Sequence, residues 1–205
     1  FLQVQDGVLE SAGQIMDRMA ELKALSQDVL KNSSDVANYN AEFQNLQVQL
    51  FQMSETKFNG VSLFGAGAAA VFGGTGSQDV TVSIFTSATG ESGSLVSINK
   101  SMLLSALTIQ SGDTDLSSVS HTSATNAGAA NSAGNFTFAV STSAGAMTLD
   151  KVSVGVYTQA LQNIATLRAE NGGSVSRLQF AKESTMAQRT NLEAANGRIM
   201  DVDIA

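Results

Sequence analysis

The chain has no cysteine, no proline and no tryptophan in 205 residues, and a single histidine, His121. Without cysteine there is no disulfide, no thiol nucleophile and no thiolate metal site, and the redox compartment leaves no mark on the sequence. Without proline no residue breaks a helix through a missing N–H, so the composition favours long uninterrupted helices. Basic residues are scarce: 11 Lys and Arg against 18 Asp and Glu leave a net charge of -7 and a pI of about 4.5. That balance excludes the basic face that nucleic acid requires. It also opposes an anionic membrane surface. No apolar run reaches the roughly eighteen residues of a transmembrane helix, so no membrane insertion is expected. An initiator methionine is missing too, and Phe1 opens directly into a helical pattern with no basic start or cleavage site. The chain therefore reads as a fragment of a longer protein, with no signal peptide.

Catalytic constellations are missing as well. There is no HExxH zinc motif and no G-x-x-x-x-G-K-[ST] phosphate cradle. His121 lies in a Ser/Thr-rich stretch without neighbouring partners and reads as polar loop surface. Gly73-Gly74-Thr75-Gly76 reads as a flexible turn. Asp201 and Asp203, two residues apart, fall on different faces of a helix, which suits pairing with a neighbouring helix or subunit better than acid/base work. Asp113 and Asp115 have no EF-hand spacing around them. The sequence thus predicts no enzyme, no metal and no cofactor.

What is present is a set of heptads. Leu178, Ala181, Thr185, Gln188, Leu192, Ala195 and Ile199 alternate by three and four, as in the seam of a helix running from Ser174 to Ala205. So thin a stripe needs partner helices. On this reading Leu192→Asp buries an unpaired charge. Val8, Ala12, Ile15, Met19, Leu22, Ser26 and Val29 give a matching stripe over residues 1–30, roughly 40 to 45 Å of continuous helix. After the polar break Lys31-Asn32-Ser33-Ser34-Asp35, with Ser34 or Asp35 as N-cap, Val36, Tyr39, Phe43, Leu46, Leu50 and Met53 form a second helix antiparallel to the first. Asn59-Gly60 ends it in a tight turn. A helix begins again after Met147, with Thr148 as cap and Val152, Val156, Tyr157, Ala160, Leu161, Ile164 and Leu167 as its stripe; Asn171-Gly172-Gly173 is expected to end it.

Between these helical halves the composition shifts to Gly, Ser, Thr and Ala. Residues 80–85, 94–98 and 135–140 read as strands, 100–107 as a short helix, and 111–134 as polar and low in complexity. The expected fold is mainly α with a β-rich insertion: an elongated antiparallel helical bundle or coiled coil formed by the N- and C-terminal segments, with a small β domain at its tip. The domain boundaries are residues 1–65 and 147–205 for the two halves of the helical rod, and 66–146 for the insertion.

Three blocks, in order and at the right spacing, resemble bacterial flagellin. FLQVQDGVLESAGQIMDRMAELKAL resembles the family's first rod helix. YNAEFQNLQVQLFQMSETKFNG resembles its second helix and the Phe58-Asn59-Gly60 turn, and RIMDVDIA, with Arg198, Asp201 and Asp203, resembles the signature at the rod's C-terminus. Arg177 and Leu192 also occupy family-like positions. The resemblance covers roughly residues 1–63 and 149–205; the middle, variable in flagellins, is unmatched.

The resemblance implies a secreted, extracellular structural subunit of the flagellar filament, self-assembling with other flagellin subunits through lateral helix-bundle contacts for motility. It implies export and capping machinery as partners. The helices that form the inner tube of the filament are missing on both sides, so this span alone is expected to be monomeric. Arg18, Glu21, Leu22 and Glu42 match the positions through which many flagellins meet the innate immune Toll-like receptor or a neighbouring subunit. Ala20 replaces a usual arginine and Lys23-Ala24-Leu25 departs from the pattern, so receptor activation is expected to be weak. The Ser/Thr-rich middle is a candidate for O-linked sugars or a bare polar tip. A flagellin-like cell-surface protein that binds a glycan or other ligand through its variable region is the alternative, though Phe72, Phe85, Phe136 and Phe138 offer few stacking platforms.

Overall fold

The computed structural model describes residues 1–65, 72, 81–87, 92–111, 119–121 and 135–202, which divide into two compact units. The Gly73–Gly76 cluster, Asp113, Asp115, Asp203 and Val80 lie outside the described residues.

The first unit comprises residues 1–80 and 100–171. Its helix α1 spans Leu2–Ser26 and α2 spans Ser33–Ser54. Leu2, Gln5, Leu9, Ala12, Met16, Met19 and Leu22 form the buried face of α1. Ala12, Met19 and Leu22 of the expected stripe are buried, but Val8 and Ile15 are only partly so, and Leu9 and Met16 take the fully buried positions beside them. The helix also stops at Ser26 rather than running to Leu30; the Asp28 carboxylate accepts from the Leu30 N–H and turns the backbone, leaving Val29 and Leu30 more than nine-tenths exposed. Asn32, and not Ser34 or Asp35, caps α2. Its side chain accepts from the Asp35 N–H at 2.8 Å while the Asp35 carboxylate receives the Asn32 N–H, a reciprocal capping box.

The Asn59-Gly60 turn forms as expected. Strands β1 (Lys57–Phe58) and β2 (Val61–Ser62) pair antiparallel, and φ is +51° at Asn59 and +78° at Gly60, the two positive values a type I′ turn requires. After the short helix α3 (Leu103–Ala106), β5 (Thr108–Ser111) lies between β6 (Val119–His121) and β7 (Asn135–Thr137), all antiparallel. His121 is therefore a strand residue opposite Ile109, not a loop residue.

The last helix, α4, runs unbroken from Val154 to Val202. This overturns the expected stop at Asn171-Gly172-Gly173. Asn171 is buried inside the helix and its amide donates to the Leu2 carbonyl at 2.8 Å, so the residue read as a terminator is a tertiary contact. Helical glycine costs only about 1 kcal/mol at each of Gly172 and Gly173, and neither takes the positive φ of a helix terminus. The start differs as well: Leu149–Lys151 forms one 3-10 turn before α4 begins.

In this unit α1, α2 and residues 154–171 of α4 make an antiparallel helical bundle. Arg18 pairs with Glu42 across α1 and α2, and Arg168 with Asp6 across α4 and α1. One continuous apolar core joins Leu9, Met16 and Met19 of α1, Phe43 and Leu50 of α2, Tyr157 and Ile164 of α4, and Leu103, Ile109 and Phe138 from the segment between. Residues expected in a separate insertion thus contribute to the helical core.

The second unit contains residues 81–99 and 172–205. Within it β3 (Thr81–Phe85) and β4 (Leu95–Asn99) form an antiparallel hairpin, with Ser83 opposite Ser97 and Phe85 opposite Leu95. Here the expected seam does not form a core. Leu178 and Ala181 are half-buried, but Thr185, Gln188, Leu192, Ala195 and Ile199 are exposed, Leu192 to 70%. The heptad pattern specifies which residues share a helix face; it does not specify that the face is covered.

Candidate functional site

The side chains that organise the first unit are amides, and periodicity missed them. Gln47, fully buried on α2, holds both backbone groups of Met147: its amide donates to the Met147 carbonyl and its carbonyl accepts from the Met147 N–H, each at 2.9 Å. Asn40 accepts from the Leu149 N–H at 2.8 Å. Gln5 donates to the Leu63 carbonyl and Asn163 to the Ala106 carbonyl, both at 2.8 Å. Each binds a backbone group outside any ladder, in irregular chain at Leu63 and Met147, at the first residue of the 3-10 turn at Leu149 and at the last residue of α3 at Ala106, which satisfies groups that are costly to bury bare. Gln5 continues the Val8–Ala12 spacing of α1, while Asn40, Gln47 and Asn163 fall beside the apolar stripes and carried no such signal. Among the described residues, three buried polar atoms lack partners: Gln5 Oε1, Asn171 Oδ1 and the Tyr157 hydroxyl. Burial holds the Tyr157 phenol above its ordinary pKa, so it stays neutral, with its ring tilted against Phe43 and Phe138.

Lys23 is also buried. Its ammonium donates to the Leu149 carbonyl at 2.6 Å, and desolvation lowers its pKa from the ordinary lysine value despite the opposing charge of Asp150.

On the surface, Arg18, Glu21 and Glu42 form one cluster. The Arg18 guanidinium meets both Glu42 oxygens at 2.7 and 3.2 Å and Glu21 at 2.6 Å. These hydrogen bonds, Glu42 first, raise the arginine pKa further above its ordinary value. All three side chains stay between about two-fifths and three-fifths exposed, so the cluster is accessible. Leu22, grouped with them as a contact residue, is not accessible: it is fully buried among Leu9, Met19 and Phe43 in the core of the unit. The 3.6-residue repeat turns it inward, so its side chain cannot meet a partner. Arg198 is exposed on α4, and Asp201 lies in the last described turn of the same helix.

In the second unit, Ile84, Phe85, Thr86 and Ser87 face Leu178, Ala181, Lys182, Thr185 and Met186 across an open groove of about 470 Å³. Among the described residues no group of three or more His, Cys, Asp or Glu is placed to hold a metal ion, and no helix is long and apolar enough to cross a membrane.

No family model and no curated protein matches the sequence. Among solved structures the protein is similar to Bacillus cereus flagellin, with a TM-score of 0.52 and 20% identity, covering 95% of this chain and 89% of that one. The likeness spans almost the whole length, so it concerns the fold and not one shared motif: the protein has the flagellin fold.

Proposed function

We propose that this protein is a structural subunit of the bacterial flagellar filament, exported from the cell and assembled with copies of itself for motility. The observation that carries the reading is the flagellin fold over 95% of the chain. The three sequence blocks at Phe1–Leu25, Tyr39–Gly60 and Arg198–Ala205 support it from an independent direction. A subunit that meets copies of itself through unlike faces builds an open helical array. On this reading residues 1–65 and 147–205 are the rod, and 66–146 is the variable insertion, whose Leu103, Ile109 and Phe138 join the helical core. Export and capping machinery are its further partners.

The Arg18–Glu21–Glu42 cluster is the accessible polar feature of the α1–α2 face, and we assign it to contact with a neighbouring subunit or, weakly, with the Toll-like receptor. Two features favour weak receptor engagement: Ala20 stands where the resemblance expects a second arginine, and the Arg18 guanidinium is already committed to two carboxylates. Arg198, Asp201 and Asp203 are assigned to contacts at the end of the rod.

Immunogold labelling of intact cells with antibody raised against the protein tests the reading by electron microscopy. Gold along long helical filaments is the expected result. Gold confined to the cell body rejects the filament role and favours a cell-surface binding protein.

A further inference from the structure

We propose that Asn59 is a site of spontaneous, structure-selected deamidation. The reaction needs the backbone nitrogen of the following residue to attack the amide carbon of the asparagine side group. A new bond forms between that nitrogen and that carbon, the bond from the carbon to the amide nitrogen breaks, ammonia leaves, and a five-membered succinimide results. Water then opens the ring on either side. One opening gives aspartate; the other gives isoaspartate, which routes the backbone through the former side group and adds a methylene to it. The net change is asparagine plus water to an acid plus ammonia, and no other reactant is required.

The sequence contains three Asn-Gly pairs: Asn59-Gly60, Asn171-Gly172 and Asn196-Gly197. Sequence alone makes them equivalent, since each offers a nucleophile unshielded by a Cβ. The structure separates them. Asn171 is buried, its amide nitrogen held by the Leu2 carbonyl at 2.8 Å, and both it and Gly172 lie inside α4. Asn196 and Gly197 are exposed but also lie within α4, where the glycine N–H belongs to the helical ladder and the backbone is fixed away from ring closure. Asn59 and Gly60 are both exposed in the two-residue turn, and among the described residues no hydrogen bond engages the Asn59 amide group or the Gly60 N–H.

The turn itself creates the opening. A φ of +78° demands glycine at position 60, and an added Cβ there would meet nothing within 4 Å. The conformation that fixes the residue type therefore also leaves its amide open to react. The strands on either side are two residues long, a weak clamp against the excursion that ring closure needs. Isoaspartate would break the Phe58–Val61 pairing beside Leu63, whose carbonyl is the acceptor for Gln5.

The test is incubation of the whole protein at mildly alkaline pH, folded and in parallel in concentrated urea. The three Asn-Gly peptides are followed by peptide mapping and mass spectrometry, and isoaspartate by enzymatic methylation. In the folded protein Asn59 should convert about fivefold or more faster than Asn171 and Asn196, while in urea the three should converge. A smaller ratio in the folded protein overturns the proposal. A ratio that persists in urea overturns it too, because the selectivity would then lie in local sequence. Asn59→Gln, whose ring closes more slowly, should silence the first peptide and leave the other two unchanged.

Discussion

Replacing Gly172 and Gly173 by alanine should stabilise the protein. Both lie inside α4, both are free of positive φ, and an added Cβ at either would meet nothing within 4 Å. In a helix interior alanine is favoured over glycine by about 0.8–1.0 kcal/mol, so the double substitution should add roughly 1.6–2 kcal/mol. The opposite sign follows if the helix ends at these residues. A glycine at a helix C-terminus sits in the left-handed region, and alanine there costs about 1–2 kcal/mol per residue. Urea unfolding followed by far-UV circular dichroism separates the two cases, since they differ in sign. Amide hydrogen exchange across residues 170–180 localises the effect if this part of α4 opens independently of the core. A loss of about 1 kcal/mol or more, the cost of a misplaced Cβ, would refute the continuous helix and return Asn171-Gly172-Gly173 to the role of a terminator.

Gln47→Leu should cost about 2–4 kcal/mol, from two lost hydrogen bonds and two Met147 backbone groups left buried and bare; denaturation that shifts by less than about 0.5 kcal/mol would show that water reaches them. Leu192→Asp should change stability by less than about 0.5 kcal/mol, because Leu192 is 70% exposed, whereas Leu50→Ala, at a fully buried position, should cost about 2–5 kcal/mol in the same assay. Lys23 supplies a pH dependence. Its folded pKa lies below the unfolded value of 10.5, so between the two the unfolded state holds more protons and stability rises with pH. Subtracting the urea stability of Lys23→Met from that of the unsubstituted protein isolates this contribution, and the difference should climb as pH approaches 10.5 from below; a flat difference refutes the buried-ammonium account.

Some of the molecule was legible because local rules act alone there. The Asn59-Gly60 turn is one case, since few residue pairs accept two positive φ values. The stripe Val152–Leu167 is another, where every large apolar residue at helical spacing is buried or half-buried. The β3–β4 hairpin formed where the two strands were expected. Elsewhere a second partner decided. Asn32 displaced Ser34 and Asp35 as cap because Asp35 is worth more as the reciprocal member of a capping box. Gln5 and Gln47 drew no attention in the sequence, yet each is buried because a distant backbone segment needs its hydrogen bonds. Leu22 belonged by sequence to a contact cluster and by packing to the core.

Helices, their faces and the tight turn follow from the amino-acid order, because they depend on residues within a few positions of one another. The flagellin resemblance was written there too, in blocks at both ends of the sequence. Which faces are covered was settled only by folding in three dimensions. Folding made Asn171 a contact to Leu2 instead of a helix end, closed the core with residues from between the helical halves, and left Leu192 and Ile199 exposed on a face patterned for burial. A heptad states only that residues point the same way; what lies opposite them is a property of the folded molecule.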